Sequence, residues 1–95
     1  MSNSVKIKLK DGFVVQKVGE SYLAVAVGER ADSFNALIRM NGTGAYLWEL
    51  LSKEPLTEAE LAERMLSEYA VSEEIATADI SRFVSQLRQG GLIEE

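Results

Sequence analysis

The sequence predicts an α+β domain of winged helix-turn-helix type, with three strands followed by three helices. Three observations carry that reading. The apolar residues change period near residue 41, from the two-residue alternation of strands to the three- and four-residue spacing of helices. Glycine-containing turn signals punctuate the first part of the chain. In the second part each apolar stripe is preceded by a residue that caps helices well: Asn41, Thr57 and Ser72. Strands grouped before helices are the pattern of an α+β domain rather than of alternating βαβ units.

The elements follow in order. Val5-Lys6-Ile7-Lys8-Leu9 alternates apolar and basic residues, as a half-buried strand or an extended arm over residues 1–10 would. After the Asp11-Gly12 turn, Phe13 to Val18 is rich in β-branched residues. Gly19-Glu20-Ser21 offers a tight reversal into Tyr22 to Val27, so the two segments read as a β-hairpin. Leu23, Val25 and Val27 share one face of the second strand; Tyr22, Ala24 and Ala26 share the other. Gly28 to Ser33 is polar, and Phe34 to Met40 reads as the third strand. Ala36, Ile38 and Met40 lie on one face there, with Leu37 and the charged Arg39 on the outward one.

Asn41 caps the first helix, whose stripe is Gly44, Leu47, Trp48 and Leu51, widened by Tyr46 and Leu50. Gly42 and Gly44 are costly in a first turn, about 1 kcal/mol each against Ala. They make sense where a strand packs closely on the helix start. Pro55 ends this helix. Thr57-x-x-Glu60 is a capping box for the second helix, which presents Leu61, Ala62, Met65, Leu66 and Tyr69 inward. The third helix presents Ile75, Ala76, Ile80, Phe83, Val84 and Leu87, stops at Gly90 or Gly91, and lets Leu92-Ile93 fold back on the core.

The chain has 95 residues, enough for one domain over 1–95 with one core. Its composition, 46% hydrophobic and 26% charged, is globular. There is no Cys and no His, which removes disulfides, thiolate nucleophiles, the usual zinc ligand sets and the commonest general base near neutral pH. Seven carboxylates from Glu58 to Asp79 lie on amphipathic helix exteriors, where they are solvated, so no catalytic pair stands out. Gly42-Thr43-Gly44 lacks the lysine and the longer loop of a phosphate cradle. No catalytic residue, metal or cofactor is therefore expected. No apolar run reaches membrane-spanning length and no signal sequence opens the chain, so a cytoplasmic protein is expected.

Charge is unevenly spread. Residues 1–48 carry six basic and four acidic residues, a net +2; residues 49–95 carry four and eleven, a net −7. The third helix, which a DNA-binding winged helix would place in the major groove, exposes Arg82, Arg88, Gln86 and Gln89 but also Glu73 and Glu74. An acidic half repels phosphate, so nucleic acid is not the expected partner. Only Lys6, Lys8 and Lys10 favour it. Trp48 reads as core from its place on the Gly44/Leu47/Leu51 stripe, with a peptide pocket as the other reading.

Five segments, in this order and spacing, carry a resemblance. They are Ile38-Arg39-Met40-Asn41, Ala45-Tyr46-Leu47-Trp48-Glu49-Leu50-Leu51, Thr57-x-x-Glu60, Tyr69-Ala70-Val71, and Asp79-Ile80 with Phe83, Leu87 and Gly91-Leu92-Ile93. From Lys8 to Ile93 the chain resembles the PqqD-like family, small domains that recognise the leaders of ribosomally made, post-translationally modified peptides. The resemblance implies a three-stranded antiparallel sheet followed by a three-helix bundle. It also implies a non-catalytic protein that binds a precursor's leader peptide as an added strand and hands it to a modifying enzyme, often a radical SAM enzyme.

Sheet-edge physics supports that mode, because an edge strand carries unpaired N–H and C=O groups that an extended peptide can satisfy. Following the family, the edge is Phe34–Met40 and the third helix walls the groove. The expected contacts are Leu37, Ile38, Arg39 and Met40 on the strand, and Arg82, Ser85, Gln86 and Gln89 on the helix. Arg39 or Arg82 would pair with a leader carboxylate; the alternative for Arg82 is a surface pair with Asp79. Two other functions stay open at this point: a winged-helix DNA-binding regulator, and a structural subunit whose sheet edge a partner protein occupies permanently.

Overall fold

The computed structural model describes residues 5–28 and 38–94. Strand β1 (Lys8–Leu9) is followed by the hairpin β2 (Phe13–Val18) and β3 (Ser21–Ala26), then β4 (Ile38–Met40), helices α1 (Gly42–Lys53), α2 (Glu58–Glu68) and α3 (Glu73–Gly90), and strand β5 (Ile93–Glu94). The antiparallel sheet has the order β2-β3-β4, with Phe13 opposite Ala26 at one end and Tyr22 opposite Met40 at the other. The expected hairpin and its face assignment stand: Ala24 is fully buried, and its partners Val15 and Ile38 lie on the same inner face. Of the expected third strand, residues 34–37, including Leu37, lie outside the described residues.

The N-terminal segment forms a strand. Lys8 and Leu9 pair with Glu94 and Ile93, and Ile7 bridges to Leu56, donating its N–H to the Leu56 carbonyl at 2.7 Å. Lys6 reaches Glu60 at 3.3 Å. The segment thus ties the start of α2 to the end of the chain.

All three caps form. The Asn41 side-chain oxygen accepts from the Gly44 N–H at 2.8 Å, and the Ser72 hydroxyl oxygen accepts from the Ile75 N–H at 3.2 Å. At α2 the Glu60 N–H donates to the Thr57 hydroxyl oxygen at 3.1 Å, while the Thr57 N–H donates to the Glu60 carboxylate at 2.9 Å. Gly91 is the left-handed stop, at φ 77°. Of the two glycines that open α1, Gly44 alone is needed for close packing: a Cβ there would lie 3.0 Å from Met40 Cβ, whereas one at Gly42 would meet open space.

The capping box gives a pH prediction. The Thr57 N–H, and then Lys6, hold the Glu60 carboxyl below its ordinary value of 4.5. A depressed folded pKa contributes stability that is present above pH 4.5 and is lost as pH falls through the lower folded value. Glu60→Gln removes that part, so its acid-side loss of stability, read from urea melts at pH 7 and pH 3, should be shallower than the parent's.

The core joins Ile38 and Met40 of the sheet to Leu47, Trp48 and Leu51 of α1, Leu61 and Met65 of α2, and Ile80, Phe83, Val84 and Leu87 of α3. Ile7, Leu9, Leu56, Leu92 and Ile93 close its lower edge. Each such aliphatic side chain, when fully buried, contributes about 1.5–3 kcal/mol. Two residues expected inward are not. Leu66 is 36% exposed and Ile75 is 52% exposed. With about 100° between successive residues, Leu66 turns about 140° from Leu61 and joins Ala62 on the shoulder of the stripe. Ile75 turns about 100° from Ala76 and about 140° from Ile80.

Candidate peptide-binding groove

Because β4 pairs only with β3 among the described residues, its other side is an edge, and that edge faces α3. The two elements touch across 47 residues of sequence: the Gln86 side-chain amide donates to the Arg39 carbonyl at 3.4 Å. Successive strand residues direct their backbone groups to opposite sides. Since the Arg39 carbonyl is taken from the α3 side, Arg39 directs its N–H there too, and Ile38 and Met40 direct theirs to β3. The Arg39 side chain is exposed, while Ile38 and Met40 are buried on the core face.

A depression of about 160 Å³ opens where β4, the start of α1 and α3 meet. Met40, Leu47 and Phe83 give it apolar walls; Arg39, Asn41, Thr43, Asp79, Arg82 and Gln86 give it a polar lining. The Gly44–Met40 approach brings α1 to this corner. Arg82 lies 3.5 Å from Asp79, the helical-neighbour pair expected as its alternative role. The Arg82 side chain is exposed and Asp79 half-buried; surface pairs contribute only about 0–1 kcal/mol, so a ligand carboxylate can compete for the guanidinium. Two arginines against one aspartate leave this corner net positive on a chain of net charge −5.

Of the residues singled out from the sequence, Arg39, Met40, Arg82 and Gln86 line one depression. Ile38 lies beneath the strand at 6% exposure. Ser85 and Gln89 are exposed on α3 and do not line it, and Leu37 lies outside the described residues. The sequence reading left out Asn41, Thr43 and Phe83 as lining residues. One signal was available: Asp79, Arg82, Phe83 and Gln86 stand at helical spacing i, i+3, i+4 and i+7, and the exposed Ile75, at i−4 from Asp79, prolongs that face. Trp48 is absent from this lining; it is 7% exposed and packs edge-to-face on Phe13, with ring centroids 6.4 Å apart.

Among the described residues no helix is long and apolar enough to cross a membrane. No curated protein matches the chain. Two solved structures share its fold. One, titled "TbiB1 in Complex with the TbiA(beta) Leader Peptide", has a TM-score of 0.70 at 18% identity, over 92% of this chain and 94% of that one. The other, "Lasso peptide synthetase B1 complexed with the leader peptide", has a TM-score of 0.67 at 22% identity, over 96% of this chain and 100% of that one. The α+β architecture expected from the sequence is thus the one observed and shared. The family described as Coenzyme PQQ synthesis protein D (PqqD) matches residues 20–93, from the hairpin turn to the final strand. With β3, β4 and the three helices inside that span, the chain belongs to the PqqD family.

Proposed function

We propose that this protein is a non-catalytic carrier of a precursor peptide in the cytoplasm, where such peptides are made. It binds the precursor's leader as a strand added to β4 and presents it to a separate modifying enzyme. The observation that carries the proposal is the β4 edge facing α3, where, among the described residues, the Arg39 carbonyl accepts a long bond from Gln86. An incoming strand replaces that bond with ladder hydrogen bonds. Family membership and the two leader-peptide complexes of the same fold support the reading. In the proposed groove the strand side is Leu37, Ile38, Arg39 and Met40, and the helix side is Arg82, Ser85, Gln86 and Gln89. Asn41 and Phe83 belong with them at the β4–α1 corner. Arg39 or Arg82 takes a leader carboxylate.

The test is an amide NMR titration of labelled protein with leader peptides from precursors encoded beside its gene. Submillimolar binding with shifts confined to residues 38–44 and 79–89 is the expected result. Shifts centred elsewhere, or none with every neighbouring peptide, would remove the proposal.

A further inference from the structure

A carrier that presents a bound peptide needs a second surface, free while the first is occupied. The structure offers one on the opposite flank of α3. Between α2 and α3 runs an open groove of about 300 Å³, at the small end of the range of ligand pockets. Ala59, Ala62 and the half-exposed Leu66 form its α2 side at positions i, i+3 and i+7, and Ile80 lies at its base. Glu58, Glu63 and Glu73 rim it, and Glu74 stands in the adjoining hollow. Among the described residues no lysine or arginine lines either depression.

Among the described residues these acids have no ion-pair partner. Glu49, Glu54, Glu60 and Asp79 each meet a lysine or arginine, whereas none of the four groove carboxylates does so among the described residues. The helix dipole favours Glu58, Glu73 and Glu74 in first turns, but Glu63 lies in the second turn of α2. Its helical neighbours at three and four residues are Glu60, Ala59, Leu66 and Ser67, with no cation among them. An apolar trough between carboxylates is complementary to a helix with an apolar ridge flanked by lysine or arginine.

We infer that the α2–α3 groove docks a basic amphipathic helix of the modifying enzyme. The inference rests on the leader-presenting role. Around the α3 axis the direction of Glu73, Thr77 and Ile80 stands about 130° from that of Asp79, Arg82, Phe83 and Gln86. Leader and enzyme therefore occupy separate flanks of one helix and bind together.

The probe is a synthetic fourteen-residue Leu/Lys amphipathic helix, about four turns long, titrated into the labelled full chain. A Leu/Glu peptide of identical leucine spacing is the control. The Leu/Lys peptide should shift amides of residues 58–66 and 73–80 and bind at least about tenfold more tightly than the control. Glu63→Lys with Glu73→Lys should weaken it at least about tenfold, and Leu66→Ser should weaken it without a change of charge (about 1.4 kcal/mol per tenfold). Equal binding of both peptides, shifts spread to Glu49, Glu54 and Glu94, or indifference to both variants would overturn the inference. Leader peptide added to the same sample separates the two claims. Groove shifts without leader shifts at residues 38–44 overturn the leader reading and leave the groove's chemistry standing; leader shifts without groove shifts overturn only this inference.

Discussion

Arg39→Pro should abolish leader capture in a protein that still folds. Arg39 is the residue of β4 whose backbone faces away from β3, so its N–H is the donor an added strand needs. Proline removes that donor and sets its ring in the path of the incoming backbone. The leader acceptor left unpaired costs about 1–3 kcal/mol, roughly fivefold to 150-fold in affinity, before the steric clash is counted. Stability should change little, because the lost N–H does not pair with β3 and the Arg39 side chain is exposed. Ile38→Pro is the contrast. Its N–H is directed to β3 and its side chain is 6% exposed in the core, so that variant should lose the sheet itself. Calorimetric titration with leader peptide, beside thermal melts by circular dichroism, separates the two. A folded Arg39→Pro protein with undiminished affinity would rule out strand addition at β4.

The largest expected loss of stability is at Trp48. It is 7% exposed, joins α1 to the rest of the core, and meets Phe13 edge-to-face across the start of β2. Trp48→Ala should cost about 3–5 kcal/mol from lost burial and the cavity left behind. Domains are stable by about 5–15 kcal/mol, so a large share of the margin is removed. At about 4–8 °C per kcal/mol for a chain of this size, Tm should fall by roughly 12–40 °C. Trp48→Phe keeps an aromatic ring against Phe13 and should avoid most of that loss. Because Trp48 does not line the β4–α3 depression, leader affinity of Trp48→Phe should match the parent's. A clear drop in affinity with intact stability would instead place Trp48 in the peptide site.

The local signals in the chain read well for a physical reason. Caps and stripes are built from residues three and four apart, so Asn41, Thr57-x-x-Glu60 and the Gly44/Leu47/Trp48/Leu51 stripe declare themselves without tertiary context. Ile75 and Leu66 misled because an apolar residue beside a stripe looks like part of it; only the position of the neighbouring elements shows how wide an arc is covered. The candidate groove was half legible. Arg39, Met40, Arg82 and Gln86 were named, but Asn41, Thr43 and Phe83 were not, because they join the site only where the start of α1 turns against α3.

What the sequence by itself determined is the order of strands and helices, the caps that start each helix, the core stripes, and the absence of Cys and His chemistry. Only the tertiary structure decided that Lys8 and Leu9 pair with Glu94 and Ile93, that Gln86 reaches Arg39 across 47 positions, and that the two flanks of α3 open into differently charged grooves. Helical and strand periodicity reports which face of an element is apolar, through forces acting within a turn or two. Which distant face covers it, and which edge stays open, depends on how all the elements bury their surfaces together.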